Sequence, residues 1–359
     1  MHVLVVNAGS SSLKLRVLDE DDELVAAADA AGPDDRHIRG FLDGCDSIGA
    51  VGHRVVHGGH RYVDPVRLDD DVVAALDALT PLAPVHQPLA LAAIRAMHDL
   101  LPSVPEVACF DTAFHAGIPA AAATYPVPLA WRDEFGLRRF GFHGLSHAYA
   151  ARRTGEILGV PPRRLITCHL GAGSSICGIV DGHSVDTTMG FTPNEGVPMA
   201  TRSGSVDVGM LMWLLHQGIS VDDLDHALQH ESGLLALGRT GDMRTIERGA
   251  ASGDPTAQLA IDVWLHRVTQ AIASMAVSTG GIDAITFTGG IGENAVGLRR
   301  GVADRLGWLG VHLDPAADEA AAPDRLLSSP DAALHVLVVA SREDIEIARG
   351  VRQLLSDIR

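Results

Sequence analysis

The sequence has few aromatic residues, no CxxC pair and no long apolar run. Phe, Trp and Tyr make up 4% of 359 residues, so the core must consist mainly of Ala, Val, Leu and Ile. The four cysteines (Cys45, Cys109, Cys168 and Cys177) fit free thiols in a reducing cytoplasm better than disulfide bridges or a zinc site. Its first residues lack a basic leader and a cleavage site, so we expect neither a targeting segment nor a membrane span.

Basic residues are also in short supply. The chain has 28 Lys and Arg against 45 Asp and Glu, a formal charge of −17 with His neutral. Such a surface repels a phosphate backbone, so we expect no nucleic-acid partner, and an anionic substrate would need local Arg, Lys or a divalent cation. The length predicts about two domains, and a hydrophobic content of 47% excludes a disordered chain.

Short runs rich in Val and Ile alternate with Ala- and Leu-rich segments of helical period, which predicts an α/β protein. The predicted strands are Val3–Val6, Leu13–Leu18, Ala50–Val56, Val107–Phe110, Leu165–His169, Ile176–Val180, Ala284–Thr288 and Val336–Ala340. The predicted helices are Asp70–Leu79, Gln87–Leu100, Ser146–Leu158, Val206–Gln217, Thr256–Ser278, Ala295–Leu306 and Asp344–Ser356.

One strand–turn–strand pattern occurs twice. Residues 4–15 read LVVNAGSSSLKL, and residues 165–176 read LITCHLGAGSSI. Two Gly/Ser hairpins half a chain apart, each starting an α/β stretch, predict duplicated domains that bind phosphate across a cleft. A chance recurrence of solvated hairpins is the alternative.

The first hairpin carries groups suited to a nucleotide. Ser10 and Ser12 supply hydroxyl donors, Lys14 supplies a point charge, and Asn7 offers an amide oxygen to hydrated Mg²⁺. A third glycine cluster, residues 288–294, lies between a predicted strand and a predicted helix, where phosphates or ribose approach the backbone and the helix dipole.

A second set of residues suits a small carboxylate. On a strand, Arg54 and Val56 point to the same side, which predicts a pocket holding a carboxylate by its charge and a methyl group by contact. The alternative is an edge strand with Arg54 paired to a surface acid. Asp111 ends a strand, where α/β sheets place ligands, although a turn or helix cap is the usual alternative.

Three further positions fit anion or metal contact. His143 stands between glycines, which suits an anion better than a zinc site shared with His147. Arg202 is flanked by small residues and has room to reach a ligand, although a surface arginine is the alternative. Ser341 and Asp344 predict a capping box, which leaves Glu343 to reach a metal.

Six motifs, taken in order, resemble those of the acetate kinase family. They are NAGSSSxK at 7–14, GHRVVHGG at 52–59, FDTAFH at 110–115, FGFHG at 140–144, HLGxGSS at 169–175 and GGIGEN at 289–294. The resemblance runs from residue 3 to the last helix. It implies two ribonuclease H-like α/β domains of duplicated topology around a central cleft, in the superfamily of acetate and sugar kinases, heat-shock chaperones and actin.

The implied N-terminal domain covers 1–112 plus the closing helix at 344–359, and the implied nucleotide-binding domain covers 113–343. The implied reaction is reversible transfer of the ATP γ-phosphoryl group to acetate, giving acetyl phosphate and ADP. The resemblance further implies Mg²⁺, with Mn²⁺ as an alternative, and a homodimer in the cytoplasm.

The resemblance also assigns roles residue by residue. The catalytic residues would be Arg54, Asp111, His143 and Arg202. The substrate pocket would consist of Arg54, Val56, Val85, Phe142 and Pro193. Nucleotide contacts would come from Ser10, Ser12, Lys14, His169, Leu170, Gly171, Ala172, Gly173, Asp242, Met243, Arg244, Gly290, Ile291, Gly292, Glu293 and Asn294. The metal would be held by Asn7 and Glu343.

Three positions depart from the family pattern. Ala172 replaces an Asn, which removes an amide contact worth about 1–3 kcal/mol, Leu145 stands where Thr is common, and Ser205 where Asp is common. Two other functions stay open. Val56 and Val85 leave room for an extra methylene, as in a propionate or butyrate kinase, a difference worth about 1–3 kcal/mol. A non-catalytic nucleotide-gated module of the same superfamily is the other, although it would not need a carboxylate pocket.

Overall fold

A computed structural model describes residues 1–9, 13–30, 35–45, 47–320 and 322–357. The chain divides into two compact units. Unit 1 comprises Met1–Ala116, Phe142–Tyr149 and Arg342–Arg359, and unit 2 comprises Gly117–Gly141 and Ala150–Ser341. The domain boundaries given above remain a prediction.

Each unit contains one mixed sheet with six strands in the described residues. In unit 1 these are β1 (His2–Ala8), β2 (Leu13–Leu18), β3 (Leu24–Ala30), β4 (Ile48–Val55), β5 (Val66–Arg67) and β6 (Glu106–Phe110). In unit 2 they are β7 (Arg164–Leu170), β8 (Ser174–Val180), β9 (His183–Thr187), β10 (Ala284–Thr288), β11 (Arg325–Leu326) and β12 (His335–Val338).

The two sheets have the same topology. Their orders are β3-β2-β1-β4-β6-β5 and β9-β8-β7-β10-β12-β11, so each strand of the second sheet has a counterpart six strands earlier. The first three strands of each sheet pair antiparallel, β1–β4–β6 and β7–β10–β12 pair parallel, and β5 and β11 add an antiparallel edge. The predicted α/β fold with duplicated topology is confirmed.

The described residues also form α-helices. They are α1 (Asp35–Leu42), α2 (Asp70–Asp77), α3 (Gln87–Leu100), α4 (Ala120–Ala123), α5 (Leu129–Phe135), α6 (Gly144–Leu158), α7 (Val208–His216), α8 (Val221–His226), α9 (Gly233–Gly238), α10 (Met243–Ala251), α11 (Pro255–Thr279), α12 (Gly289–Asn294), α13 (Val296–Leu306), α14 (Pro315–Glu319) and α15 (Glu343–Asp357). Among the described residues, no helix combines the length and apolar character needed to cross a bilayer.

In unit 1, helices pack on both faces of the sheet. Val55 of β4 belongs to a core cluster with Leu91 and other residues of α2 and α3. On the opposite face α15 lies so close that a Cβ on Gly52 would be 2.6 Å from the Ile347 side chain. Because side chains alternate along a strand, Arg54 shares the Gly52 face.

In unit 2, the long helix α11 forms the centre of the core. Its residues Trp264, Val268 and Ile272 pack with Ile166 of β7 and Ile285 of β10, and all five are at most 1% exposed. Most residues of this cluster are aliphatic, as the low aromatic content of the sequence predicts.

The predicted capping box at the last helix is wrong. Helix α15 begins at Glu343, so Ser341 lies outside it. The Ser341 amide donates to Glu293 Oε1 within unit 2 (2.9 Å), and the Asp344 carboxylate accepts from the Arg342 guanidinium (2.9 Å). Both groups of the expected box are therefore bonded elsewhere.

Candidate active site

Three polar side chains meet where the parallel strands of unit 1 end. Asn7 lies near the end of β1, Arg54 near the end of β4, and Asp111 directly follows β6. Arg54 Nε and Nη2 donate to the Asp111 carboxylate (3.1 and 2.6 Å), and Arg54 Nη1 donates to Asn7 Oδ1 (3.2 Å). Strand β4 is central and Asp111 is 1% exposed, so the alternative of an edge strand with a surface acid is wrong.

Glu343 adds a second carboxylate to this cluster. Its Oε2 accepts from Asn7 Nδ2 (3.2 Å) and lies 3.6 Å from Arg54 Nε. Burial opposes the charge on Arg54, but the Asp111 and Glu343 carboxylates outweigh it and raise the pKa of the guanidinium. Burial raises the pKa of Asp111 to about 6, against the opposing effect of Arg54, and the Glu343 charge adds to the rise.

The donor set of this cluster fits Mg²⁺. Two carboxylates and one amide are oxygen ligands of the kind that Mg²⁺ prefers, and two negative charges face a single guanidinium. The described residues contain no group of three or more His, Cys, Asp or Glu arranged to hold a metal. Because Mg²⁺ usually keeps several waters and binds substrate phosphates, Asn7 and Glu343 fit it without such a cage.

His143 occupies a strained backbone position beside Asp111. Its φ is +57°, a left-handed conformation that is uncommon for a residue with a side chain and concentrates at functional sites. The Gly144 amide donates to the Asp111 carbonyl (2.8 Å), and His115 Nε2 donates to the Phe142 carbonyl (3.1 Å). Both neighbours of His143 are thus bonded to the segment that follows β6.

Gly144 is required for this approach. A Cβ at this position would lie 2.3 Å from the Asp111 carbonyl oxygen and 2.9 Å from Phe114 Cβ. The glycines around His143, noticed in the sequence as room for an anion, therefore also allow close packing.

Three of the predicted apolar pocket residues, Val56, Val85 and Phe142, belong to unit 1. Val56 and Phe142 are buried, and Val85 is half-buried in the turn before α3. The Phe142 ring lies edge-on to the His57 ring, with centroids 5.5 Å apart. This contact places Phe142 next to the residue that follows Val56.

In the first hairpin, Lys14 is paired directly opposite Asn7 in the β1–β2 register and is exposed. It is the only lysine among the 28 Lys and Arg residues of the chain. All the remaining basic residues are arginine, so Lys14 carries the one side-chain ammonium group of the chain. A compact charge of this kind fits a specific contact with phosphate. The predicted contacts Ser10 and Ser12 lie outside the described residues.

The second hairpin and the third glycine cluster adjoin each other in unit 2. The Gly171 amide donates to Ser174 Oγ (3.2 Å) and to the Gly173 carbonyl (3.0 Å), which closes the turn between β7 and β8. Gly289 has φ +78°, and a Cβ there would lie 2.8 Å from the Leu170 carbonyl oxygen. His169 is half-buried in the last part of β7, and Leu170 is buried in the core.

The glycine cluster itself forms helix α12, directly after β10. Asn294 Nδ2 donates to the Gly290 carbonyl (2.9 Å), and Arg299 Nη1 donates to the Gly292 and Glu293 carbonyls (2.9 Å each). Ile291 packs partly buried against the core. Glu293 accepts the Ser341 amide described above, so this side chain has a structural bond as well.

The remaining predicted nucleotide residues begin helix α10. The Asp242 carboxylate accepts from Thr245 Oγ1 (2.8 Å) and Arg244 Nε (3.2 Å), and these hydrogen bonds lower its pKa. Arg244 is exposed, whereas the Met243 side chain is 4% exposed and packs in the core. Only the backbone of Met243 is therefore suited to a ligand.

Arg202 carries a charge without an acidic partner among the described residues. Its Nη1 donates to the Pro193 carbonyl (2.8 Å), and burial lowers the pKa of the guanidinium to about 10. A desolvated cation that lacks a carboxylate is unusual in a protein with net charge −17, and it suits an anionic ligand. Pro193 and Arg202 are thus joined within unit 2.

The three departures from the family pattern have defined surroundings. The Ala172 carbonyl accepts from the Ala200 amide (3.0 Å), and Ser205 Oγ accepts from the Gly196 amide (3.1 Å). Leu145 is half-buried in the first turn of α6. Ser205 therefore keeps a hydrogen bond to the loop that precedes it.

Sequence reasoning missed a cluster formed by Tyr125, Arg139 and Glu195. Tyr125 Oη donates to Glu195 Oε2 (2.5 Å), and Arg139 Nη2 donates to Glu195 Oε1 (2.7 Å). These residues are 70 and 56 positions apart in sequence from Glu195, so no local spacing could reveal them. The available signal was Glu195 itself, a charged residue inside a Pro/Gly loop.

The fold and site together define a two-unit α/β protein whose sheets share one topology, with a hydrogen-bonded cluster of Arg54, Asp111, Asn7 and Glu343 at the strand ends of unit 1. Residues 36–349 match the model of the acetokinase family, and the chain belongs to this family. It is 49% identical over 313 residues to an acetate kinase of Gloeobacter violaceus, covering 86% of this chain and 77% of the relative.

Solved structures give the same result. The structure resembles Porphyromonas gingivalis acetate kinase with a TM-score of 0.91 and 32% identity, covering 99% of both chains. A propionate kinase from Francisella tularensis superposes with a TM-score of 0.89, also at 32% identity, covering 97% of this chain and 98% of the other. The predicted family is confirmed.

Proposed function

We propose that this chain is an acetate kinase, which reversibly transfers the γ-phosphoryl group of ATP to acetate by in-line displacement. The observation that carries the proposal is the Arg54 cluster at the ends of the parallel strands in a member of the acetokinase family. Three of the five Arg54 N–H donors point at Asp111 and Asn7, which orients the guanidinium and leaves others for a carboxylate.

The chemistry needs charge neutralisation rather than a general base. A carboxylate of pKa about 4 is already ionised at neutral pH, so the obstacle is repulsion between two anions. In the proposal, Arg54 binds the carboxylate, and His143 and Arg202 neutralise charge on the transferred phosphoryl group. Asp111 orients Arg54, consistent with its two-point hydrogen bond to that residue.

We propose that Mg²⁺ binds at Asn7 and Glu343, with Mn²⁺ as an alternative, and supplies charge compensation to the phosphates when bound. The nucleotide contacts proposed are Ser10, Ser12, Lys14, His169–Gly173, Asp242–Arg244 and Gly290–Asn294. Close packing of Gly289 on Leu170 supports joint use of the second hairpin and α12.

The acid specificity has one open alternative with support. Val56, Val85, Phe142 and Pro193 are proposed to surround the methyl group, and two valines leave room for a longer acid. The F. tularensis propionate kinase is as similar in sequence as the P. gingivalis acetate kinase. We therefore keep propionate kinase as the second candidate.

We also propose a homodimer in the cytoplasm. Helix α7 exposes Val208, Met210, Met212 and Trp213 together, which supports association with a second copy. The four cysteines are free thiols, which supports a reducing compartment.

Trapping the acyl phosphate as a hydroxamate tests the function. With MgATP we expect product from acetate, and we expect Arg54→Gln to lower kcat/KM for acetate by about 100-fold, because one charged hydrogen-bonding group is lost. Arg95→Gln, which alters an exposed arginine of the same unit, is the control and should be unchanged.

Three outcomes of this experiment distinguish the candidate functions. Higher kcat/KM with propionate or butyrate than with acetate would favour the second candidate. Nucleotide binding without any acyl phosphate would favour the non-catalytic module. Unchanged turnover in Arg54→Gln would contradict the proposed carboxylate site.

A further inference from the structure

Tyr125, Arg139 and Glu195 form a hydrogen-bonded network against the loop at residues 187–196 in unit 2. Tyr125 Oη accepts from the Phe191 amide (2.8 Å), so its own proton must point to Glu195 Oε2. Burial and the Glu195 hydrogen bond raise the pKa of Tyr125, which keeps this donor protonated. The direction of each hydrogen bond is therefore fixed.

Arg139 holds the start of the same loop. Its Nη1 donates to the carbonyls of Thr187, Thr188 and Met189 at 3.0–3.1 Å, while Nη2 donates to Glu195. One guanidinium thus joins the two ends of the loop. Its carbon also lies 5.6 Å from the centroid of the Tyr125 ring.

Gly190 leaves room for this network. A Cβ at Gly190 would lie 1.7 Å from Glu195 Oε2 and 2.2 Å from Tyr125 Oη. The Gly190 carbonyl accepts from the amides of Phe140 and Gly141 (3.1 and 3.2 Å). The backbone next to Arg139 is therefore hydrogen-bonded directly to the backbone of the loop.

The network encloses the contact that holds Arg202. Pro193 lies two residues before Glu195 and two residues after Phe191, and its carbonyl accepts from Arg202 Nη1 (2.8 Å). Both flanking residues, Phe191 and Glu195, are bonded to Tyr125. Movement of Tyr125 or Glu195 would therefore move the Pro193 carbonyl and the guanidinium bonded to it.

We propose that Tyr125, Arg139 and Glu195 are positioning residues that set the place of Arg202 and Pro193 for the carboxylate-phosphorylating step. The proposal rests on the proposed function, because it assumes that Arg202 and Pro193 serve that reaction. The side-chain hydrogen bonds of the three residues, among those described, go to each other and to residues 187–191. None goes to the predicted nucleotide segments, so the network should affect the acid pocket and the transfer step rather than the binding of ATP.

Tyr125→Phe removes the hydroxyl and keeps the ring. We expect kcat/KM for acetate to fall about tenfold, because hydrogen bonds to both Phe191 and Glu195 are lost, while the KM for ATP changes less than twofold. Tyr62→Phe is the matched control, because Tyr62 is buried and its hydroxyl has no hydrogen-bond partner among the described atoms. It should leave both parameters unchanged.

A double-mutant cycle with Arg202→Lys distinguishes positioning from general stabilisation. If the network acts through Arg202, Tyr125→Phe should reduce kcat/KM less than twofold in the Arg202→Lys background. A full tenfold loss in that background would overturn the proposal, as would unchanged acetate kinetics in Tyr125→Phe alone.

Amide hydrogen exchange gives a readout that does not require activity. We expect residues 188–196 to exchange faster in Tyr125→Phe than in wild type or Tyr62→Phe, and unchanged exchange would overturn the network. Absence of acyl phosphate from the wild type would refute the proposed function instead, and the exchange experiment would still decide whether the network orders the loop.

Discussion

His57 follows Val56 and is a fully buried histidine whose ring contacts Phe142. Its Nδ1 accepts from the Gly59 amide (2.9 Å), which fixes the ring in the turn after β4. Burial, with a contribution from His60, lowers the pKa of His57 from 6.5 to about 4. The folded chain therefore holds a neutral imidazole at pH values where the unfolded chain is protonated.

This shift predicts a specific loss of stability in acid. Between pH 6.5 and 4 the unfolded chain binds more protons, so the contribution of His57 is full above about pH 6.5 and is lost as the pH falls towards 4. At about 1.4 kcal/mol per pKa unit, this amounts to about 3 kcal/mol. His57→Asn keeps an acceptor for Gly59 and should lose less free energy of unfolding between pH 7 and 4, measured by urea denaturation. Exposed His183→Asn is the control, and equal pH dependence in wild type and His57→Asn would contradict the assignment.

Single site residues were predictable where their position in a strand determines the face on which the side chain lies. Arg54 and Asp111 were identified because they lie at strand ends, and alternation along β4 gave the side on which Arg54 lies. The partners were not predictable, since Asn7 and Glu343 are 336 positions apart and meet only through the sheet and α15. The roles of the site residues remain predictions.

Helix α12 shows how packing overrides local preference. Its sequence, GGIGEN, lies between a predicted strand and a predicted helix and has three glycines, each of which disfavours a helix by about 1 kcal/mol. The Arg299 side chain compensates by donating to the Gly292 and Glu293 carbonyls in the second half of the helix, and its guanidinium is paired with buried Asp318 (2.7 Å). Nothing local in GGIGEN encodes Arg299 or Asp318.

Arg299→Met should therefore destabilise the protein by about 3–5 kcal/mol, because it leaves the buried Asp318 charge poorly compensated and frees the α12 carbonyls. It should also raise the KM for ATP. Urea unfolding and steady-state kinetics measure the two effects. Arg305→Met on the same helix, where the side chain is 40% exposed, is the control and should cost less than about 0.5 kcal/mol. Similar losses in the two variants would show that Arg299 has no special role at α12.

The longest helices were predicted, whereas most of the elements that were missed are short. All eight predicted strands and seven predicted helices are present, with ends within two residues. The omitted β3, Leu24–Ala30, is rich in alanine and half-exposed, so it shows little strand preference and is defined by its pairing with β2. The two-residue strands β5 and β11 are too short to produce any period.

At the scale of the whole chain, duplication was predictable because it repeats a motif. The hairpins at residues 4–15 and 165–176 correspond to β1–β2 and β7–β8, which occupy equivalent places in the two sheets. The other four strands of the first sheet share no comparable sequence motif with their counterparts in the second sheet. Their equivalence is evident only from strand order and direction. One repeated hairpin was thus sufficient for the fold class.

The exposed apolar side chains of helix α7 can also be explained only at the scale of the whole molecule. It contains nine residues, VGMLMWLLH, and none of them is buried within the chain. Val208 is 70% exposed and Trp213 60% exposed, and Met210 and Met212 between them are also exposed, so this short helix presents four large apolar side chains to water. Clustered exposure of this kind marks an interaction surface, whereas single exposed apolar residues need no explanation.

We expect the wild-type protein to be a dimer and Trp213→Glu to dissociate it, because a charge would have to be buried against an apolar partner surface. Light scattering after size-exclusion chromatography, at several protein concentrations, measures the mass. Trp308→Glu changes another exposed tryptophan of unit 2 and should remain dimeric. Both substitutions are at the surface and should alter the free energy of unfolding of the isolated chain by less than about 0.5 kcal/mol, so a shift to monomer in Trp213→Glu alone locates the interface at α7. A monomeric wild type, or dissociation by Trp308→Glu only, would contradict this interface.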